Sequence, residues 1–212
     1  MYFNIHILLY ILCYTHTMPR INNDIFYKNA LKKHGQSAKG LNWHDDYSQI
    51  KRFEILHEMI EDDINTGDTI IDAGCGFGDF YHFIKPLHKV HYIGYEIVEE
   101  NVKIAQEHTK QHIEQKDILK DPLDVAEFYI ASGSMNILSR FETYLFIERC
   151  FAHSTKGFVF NLLYGKNESK SFNYFLPQEI KHFAKKFDCE ILTRTGYLPH
   201  DFTVYLRKVP TS

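Results

Sequence analysis

Apolar positions along the chain switch repeatedly between a helical period and the short continuous runs of buried strands. Ile21, Ile25, Tyr27 and Leu31 give a loose helical face that ends near Gly35. After Trp43, Ile50, Phe53, Leu56 and Ile60 recur at three to four residues, and Asp46 with Gln49 resembles a capping box opening that helix. Gly67-Asp68 marks a turn. The run TIIDA at 69–73 is short, continuous and β-branched, as in a strand buried on both faces. A helix is expected over 78–87, a strand over 91–97, and a helix with Val98, Val102 and Ala105 on one face. Strands follow near 112–116 and over 127–131. Ser139 and Glu142 form a capping box opening a helix that runs to about residue 153, and a strand spans 157–163. Pro177 suits a first-turn position, with Ile180, Phe183, Ala184 and Phe187 facing inward. Two final strands, 189–195 and 201–208, have no helix between them and are expected to pair antiparallel. The pattern is that of an α/β fold: a seven-stranded, mostly parallel sheet with its last strand antiparallel and helices on both faces.

The N-terminus departs from this alternation. Residues 1–14 include 12 apolar residues, and residues 1–17 contain no Lys, Arg, Asp or Glu. The positive region and small-residue cleavage site of a signal peptide are missing, and fourteen residues fall short of a bilayer span. Two readings remain: a strand or helix packed on the domain, or an upstream start with Met18 as the true beginning, which is preferred. The expected organisation is an apolar tail at 1–17, a helical cover at 18–66 and a core at 67–212, one domain overall.

Composition narrows the function. With 212 residues, one core buries enough surface to need no staples. Lys and Arg total 24 against 27 Asp and Glu, a formal charge of −3 without a basic run, which argues against a dedicated nucleic-acid binder. The 44% hydrophobic and 15% aromatic content excludes a disordered chain. No apolar run reaches the ~18 residues of a membrane-spanning helix. Cys13, Cys75, Cys150 and Cys189 form no C-x-x-C pair, which suits a reducing, cytoplasmic setting. The 13 histidines include no H-E-x-x-H, and neither His88/His91 nor His108/His112 sits where a metal pair is expected, so no metal site is assigned.

The chemistry concentrates in IIDAGCGFGDF, residues 70–80. Gly74, Gly76 and Gly78 alternate directly after the first buried strand at a helix entry, where glycine lets the backbone approach a ligand closely. A strand, glycine loop and helix at the carboxyl edge of a parallel sheet form a nucleotide site. The dinucleotide fingerprint G-x-G-x-x-G does not fit, because Asp79 occupies the place of its third glycine and would repel a pyrophosphate at the helix start.

Asp72 through Gly78, with Glu96 ending strand two and Asp117 following strand three, resembles the motifs of class I S-adenosylmethionine-dependent methyltransferases. Glu96 lies 22 residues after Gly74, where a carboxylate accepts from both ribose hydroxyls. The resemblance covers about 40–208 and implies that fold, with S-adenosylmethionine as cofactor and S-adenosylhomocysteine as product. It implies cofactor contacts at Asp72, Gly74, Cys75, Gly76, Gly78, Glu96 and Ile97. Asp117 would bond the adenine amino group and Ile118 would pack on the ring. Residues 131–136 resemble the fourth motif, with Ser132 at the cofactor. Cys75 sits where small apolar residues are common in this family and is not read as a nucleophile.

The segment 41–53 resembles that preceding the first motif in small bacterial methyltransferases acting on low-molecular-weight or saccharide acceptors. On that likeness Arg52 would hold the methionine carboxylate bidentately, with Gln49 one turn earlier. Trp43 would cover the mouth or pack in the core.

Methyl transfer from a sulfonium needs orientation and desolvation more than a fixed catalytic group. The segment Ser132-Gly133-Ser134-Met135-Asn136 departs from the pattern that binds exocyclic base amines, so nucleic-acid methylation is not favoured. Ser134, Asn136, Asn161 and Tyr164 are expected to line an acceptor pocket, with His200 as the candidate base. The aromatics Phe172, Tyr174 and Phe175 fall where a substrate lid is usual in this fold, with core packing an equal account of at least one of them. The expected reaction is O-methylation of a small molecule, a sugar or organic acid. The alternative is an adenine-nucleotide-binding Rossmann protein or oxidoreductase without methyl transfer; a lesser one is an RNA or protein methyltransferase. Oligomeric state is open.

Overall fold

A computed structural model describes residues 46–166, 169 and 171–209. The expected tail at 1–17, the helix over 21–35, Trp43 and the side chain of Asp46 lie outside the described residues.

The described chain alternates helix and strand. Helix α1 (Asp46–Glu58) precedes β1 (Thr69–Ala73), α2 (Asp79–Ile84), β2 (His91–Glu96), α3 (Glu99–Thr109) and β3 (His112–Gln115). Then come β4 (Ala126–Ala131), α4 (Arg140–His153), β5 (Ser154–Tyr164), β6 (Tyr174–Phe175), α5 (Pro177–Ala184), β7 (Cys189–Thr195) and β8 (Asp201–Lys208). The sheet order is β3-β2-β1-β4-β5-β8-β7, with β6 paired to β5 off this path. Strands β1 to β5 pair in parallel, while β8 runs antiparallel to both β5 and β7. The expected α/β sheet and its antiparallel last strand are present. The addition is β6, whose two residues pair with Leu163 and Tyr164 and are too few to show a period.

Both faces of the sheet are buried, which explains the unbroken apolar runs of its strands. Ile71, Tyr129, Phe158 and Phe160 face a cluster completed by Phe146, Ile147 and Cys150 of α4 and Ile180 and Ala184 of α5. Their neighbours Ile70, Phe128, Ile130 and Val159 face a second cluster with Phe53 and Leu56 of α1, Phe80 of α2 and Val102 of α3. The period of two along each strand thus supplies two cores from one run. Helix ends follow local chemistry: Ser139 Oγ accepts from Glu142 N while Glu142 returns to Ser139 N. Glu179 likewise accepts from Leu176 N at the start of α5, with Pro177 in the first turn. Among the described residues, no helix is long and apolar enough to cross a membrane.

Candidate active site

The carboxyl ends of the parallel strands open into a cavity of about 700 Å³, bounded on one side by α1 and on another by the β7–β8 connection. This is the expected place for a ligand in an open α/β sheet, and the volume lies in the usual range for cofactor and small-molecule sites.

The loop after β1 forms its floor. Gly74 N and Cys75 N both donate to Tyr95 O, at 2.8 and 3.0 Å, folding the loop toward β2. Gly74 has φ +88°, and a Cβ there would lie 2.4 Å from Ser134 Cβ, so glycine is what allows the β1 and β4 loops to touch. Asp72, Gly74, Cys75 and Gly76 line the cavity. Gly78 does not. A Cβ at Gly78 would meet Thr109 Cγ2 at 2.3 Å, so this glycine permits packing against α3 rather than contact with a ligand. Cys75 is buried, and burial pushes its thiol well above its ordinary pKa, away from nucleophilic chemistry.

Two carboxyls sit beside this loop. Glu96 is buried and accepts from Gly76 N at 3.0 Å and from Ile97 N and Val98 N at 2.9 Å. Burial raises it to about 7 against the opposing pull of those three N–H donors. Asn101 of α3 also bonds Glu96 and lines the cavity, and its buried Oδ1 has no partner. Sequence reading missed Asn101, because nothing in the spacing of α3 distinguishes it. Asp72 accepts from Tyr92 Oη at 2.7 Å, and burial raises it to about 7 with Glu96 and Asp79 adding like charge. Ile97 lines the cavity next to Glu96.

Asp117 and Ile118 line the next wall. Asp117 Oδ1 caps the following turn by accepting from Leu119 N at 2.9 Å, and its other oxygen pairs with Lys120 at 2.8 Å. Ile118 is buried and belongs to the α4-side core.

The segment after β4 brings Ser132, Ser134 and Asn136 to the cavity. Ser134 Oγ donates to Ala73 O at 2.8 Å, and Asn136 Oδ1 is buried without a partner. Asn161 is placed differently from expectation. It does not line the cavity; its Oδ1 accepts from Gly133 N at 2.8 Å and its Nδ2 donates to Ser132 Oγ at 3.3 Å, holding the loop from behind. Tyr164 does not line the cavity either. Its ring packs edge-on against Phe202, and the preceding Leu163 lines the cavity instead, because alternate residues of β5 face opposite sides.

The cover also differs in detail. Arg52 lines the cavity, but its guanidinium forms a two-pronged ion pair with Asp201, both contacts at 2.9 Å. The carboxylate expected from a ligand is supplied by β8. Gln49 lines the cavity and donates to Asp79 Oδ2 at 2.9 Å. Phe172, Tyr174 and the exposed His200 line the cavity. Phe175 takes the core-packing role, fully buried against Tyr144 and the Arg140 guanidinium. Among the described residues, no group of three His, Cys, Asp or Glu side chains is arranged to hold a metal ion.

No protein-family model matches this chain, and no curated protein does. Solved structures do match. The SAM-bound magnesium protoporphyrin IX methyltransferase of Synechocystis PCC 6803 superposes with a TM-score of 0.65 at 13% identity, covering 89% of this chain and 92% of that one. The TehB-like SAM-dependent methyltransferase of Corynebacterium glutamicum gives 0.64 at 13% identity, over 88% of this chain and 100% of that one. The (4+2)-cyclase SpnF gives 0.60 at 14% identity, over 74% and 81%. The chain has the Rossmann-like fold shared by these methyltransferases.

Proposed function

We propose that the protein is an S-adenosylmethionine-dependent methyltransferase that acts on a small-molecule acceptor, at oxygen. The observation carrying this reading is the convergence of the Gly74–Gly76 backbone, the buried Glu96 carboxyl and the Asp117-Ile118 pair on one cavity of about 700 Å³. The residues present suit the cofactor: Gly74 keeps side-chain bulk from the loop, and a buried carboxyl and the unpartnered oxygen of Asn101, both on residues lining the cavity, would meet polar ligand groups. Glu96 would accept from ribose hydroxyls, Asp117 from the adenine amino group, and Ile118 would pack on the base. Ile97 and Ser132 complete that side.

The bound cofactor would supply an electrophilic methyl group on a sulfonium. The chain's own residues bind, orient and exclude water. The Arg52–Asp201 pair and the Gln49–Asp79 bond fix α1 over the cavity. In this reading residues 18–66 are the cover, with α1 as its described part, and 67–212 are the core. His200, at the exposed edge, would receive a proton from an acceptor that must lose one. The unpaired thiols of Cys75, Cys150 and Cys189 fit the expected cytoplasmic setting.

The dinucleotide alternative has less support. The all-parallel order of dinucleotide-binding sheets contrasts with β8 inserted antiparallel between β5 and β7. Asp79 also lines the cavity at the start of α2, where a pyrophosphate would meet it. Calorimetry tests the proposal: S-adenosylhomocysteine is expected to bind at micromolar concentration and NAD not to bind. Folded protein that binds neither S-adenosyl ligand refutes it.

A further inference from the structure

The methyl acceptor's own class is written in the walls of the recess away from Glu96. Three backbone contacts assemble that recess. Asn173 N donates to Asn136 O at 2.8 Å, Leu163 pairs with Tyr174 across β5 and β6, and Tyr164 N donates to His200 O at 2.9 Å. They bring Asn136, Leu163, Phe172, Tyr174, Leu198 and Pro199 around one space.

Two observations define what fits there. The first is charge. Arg52 and Asp201 both line the cavity, are 8% and 4% exposed, and neutralise one another through two 2.9 Å contacts. A carboxylate acceptor competing for that guanidinium would strip Asp201 of its partner in a buried position, which is strongly unfavourable. The second is an unmet hydrogen bond. Asn136 Oδ1 is shielded from water and has no partner, and Leu163, Phe172, Leu198 and Pro199 of the same cavity carry no side-chain donor, Tyr174 being the one member of that wall with a hydroxyl. Buried carbonyl oxygens without donors are rare in native proteins, and one on a cavity wall is open to a donor from a bound molecule. A sugar, with hydroxyls on all sides, would leave those facing Leu163, Phe172, Leu198 and Pro199 unpaired.

Resting on the methyltransferase reading, we infer that the acceptor is an uncharged, largely apolar molecule of aromatic-alcohol type, held by donation of one of its O–H or N–H groups to Asn136 Oδ1. This replaces the expected sugar or organic acid with a different chemical class. In the transfer the acceptor oxygen forms the new O–CH3 bond as the S–CH3 bond breaks to leave a thioether. The hydroxyl proton passes to His200 at the exposed edge of the cavity. Asn136 is in this account a specificity-determining residue.

The test uses the full chain, tritiated methyl donor and three acceptor panels: neutral naphthols and hydroxycoumarins, hydroxybenzoates and aliphatic hydroxy acids, and hexoses. Transfer to the neutral aromatic alcohols is expected, with kcat/KM at least tenfold above the other panels. Asn136→Leu should raise the acceptor KM about tenfold, the value of one neutral hydrogen bond, and leave S-adenosylhomocysteine affinity within twofold. That affinity also reports whether the variant folds; Asn136→Ser, which keeps an acceptor oxygen in a smaller side chain, is expected to fall between. Preferred transfer to acids or hexoses overturns the inference. So does the absence of transfer to any neutral aromatic alcohol in protein that binds S-adenosylhomocysteine, or an unchanged KM in folded Asn136→Leu. Failure of the wild type to bind either S-adenosyl ligand overturns the methyltransferase reading beneath it.

Discussion

Glu96 is a carboxyl group held where three backbone N–H donors converge, yet burial raises it to about 7. Asp72 is raised similarly. For groups whose folded pKa exceeds the unfolded one, the stabilising contribution is complete below the ordinary carboxylate range, about 4. It is lost as pH rises through about 7. Ribose hydroxyls donate to the ionised form, so S-adenosylhomocysteine should bind more tightly at pH 8 than at pH 6, and Glu96→Gln should bind weakly and lose that dependence. Calorimetric titrations at the two pH values check both. At Gly74 the issue is steric. With φ at +88° and Ser134 Cβ 2.4 Å from where an added methyl would sit, Gly74→Ala is expected to cost about 2 kcal/mol or more in urea unfolding. An unchanged midpoint would mean that the β1 and β4 loops do not touch as described.

At the scale of elements, α1 is secured by charged and polar contacts as much as by Phe53 and Leu56. Replacing Asp201 by Leu leaves a buried guanidinium without its carboxylate and should cost about 3–5 kcal/mol, whereas the double replacement Arg52→Met with Asp201→Leu should recover most of that. Denaturant curves for the two variants separate a buried ion pair from general disruption. The other end of α1 carries His57, whose Nε2 lies 2.7 Å from His88 Nε2 in the loop after α2. Burial, and then the neighbouring His88, lower His57, with Glu61 and Glu58 partly offsetting. A histidine depressed in the fold contributes stability that is present above its unfolded value, about 6.5, and is lost as pH falls toward the folded value. Hydrogen-exchange protection in residues 46–58 is therefore expected to fall between pH 7.5 and pH 5.5. In His57→Phe that pH dependence should flatten.

For the whole molecule, the sheet order places the first glycine loop and the fourth-strand loop side by side, because β1 lies between β2 and β4. A ligand bridging them stabilises the folded state by mass action. At a hundredfold excess over Kd, S-adenosylhomocysteine should add about 2.7 kcal/mol, or a rise in Tm of about 5–10 °C for a chain of this size. Calorimetric scans with S-adenosylhomocysteine and with NAD at equal concentration check this, with no rise expected for NAD. The residues that made the fold readable in advance were those whose signal is local. TIIDA announces a two-faced strand, Ser139 and Glu142 announce a helix start, and the missing helix between β7 and β8 announces their antiparallel pairing. Glu96 was readable for the same reason: it ends a strand at a fixed distance from a glycine loop. Asp201, Asn101 and Leu163 carried no such mark.

That difference has a physical origin. Period, caps and glycine loops are properties of a few consecutive residues, so helices, strands, their order and the acids beside the glycine loop follow from the chain read in one direction. Partnerships across long separations are not. Arg52 meets Asp201 across 149 positions, and Asn161 reaches Gly133 across 28, only because the sheet has assembled. Which side of β5 faces the cavity, which glycine touches a ligand loop and which touches a helix, and which polar oxygen is left without a donor are consequences of packing. Those consequences moved Asn161, Tyr164 and Gly78 out of the cavity wall, engaged Arg52, and left Asn136 with an unmet hydrogen bond.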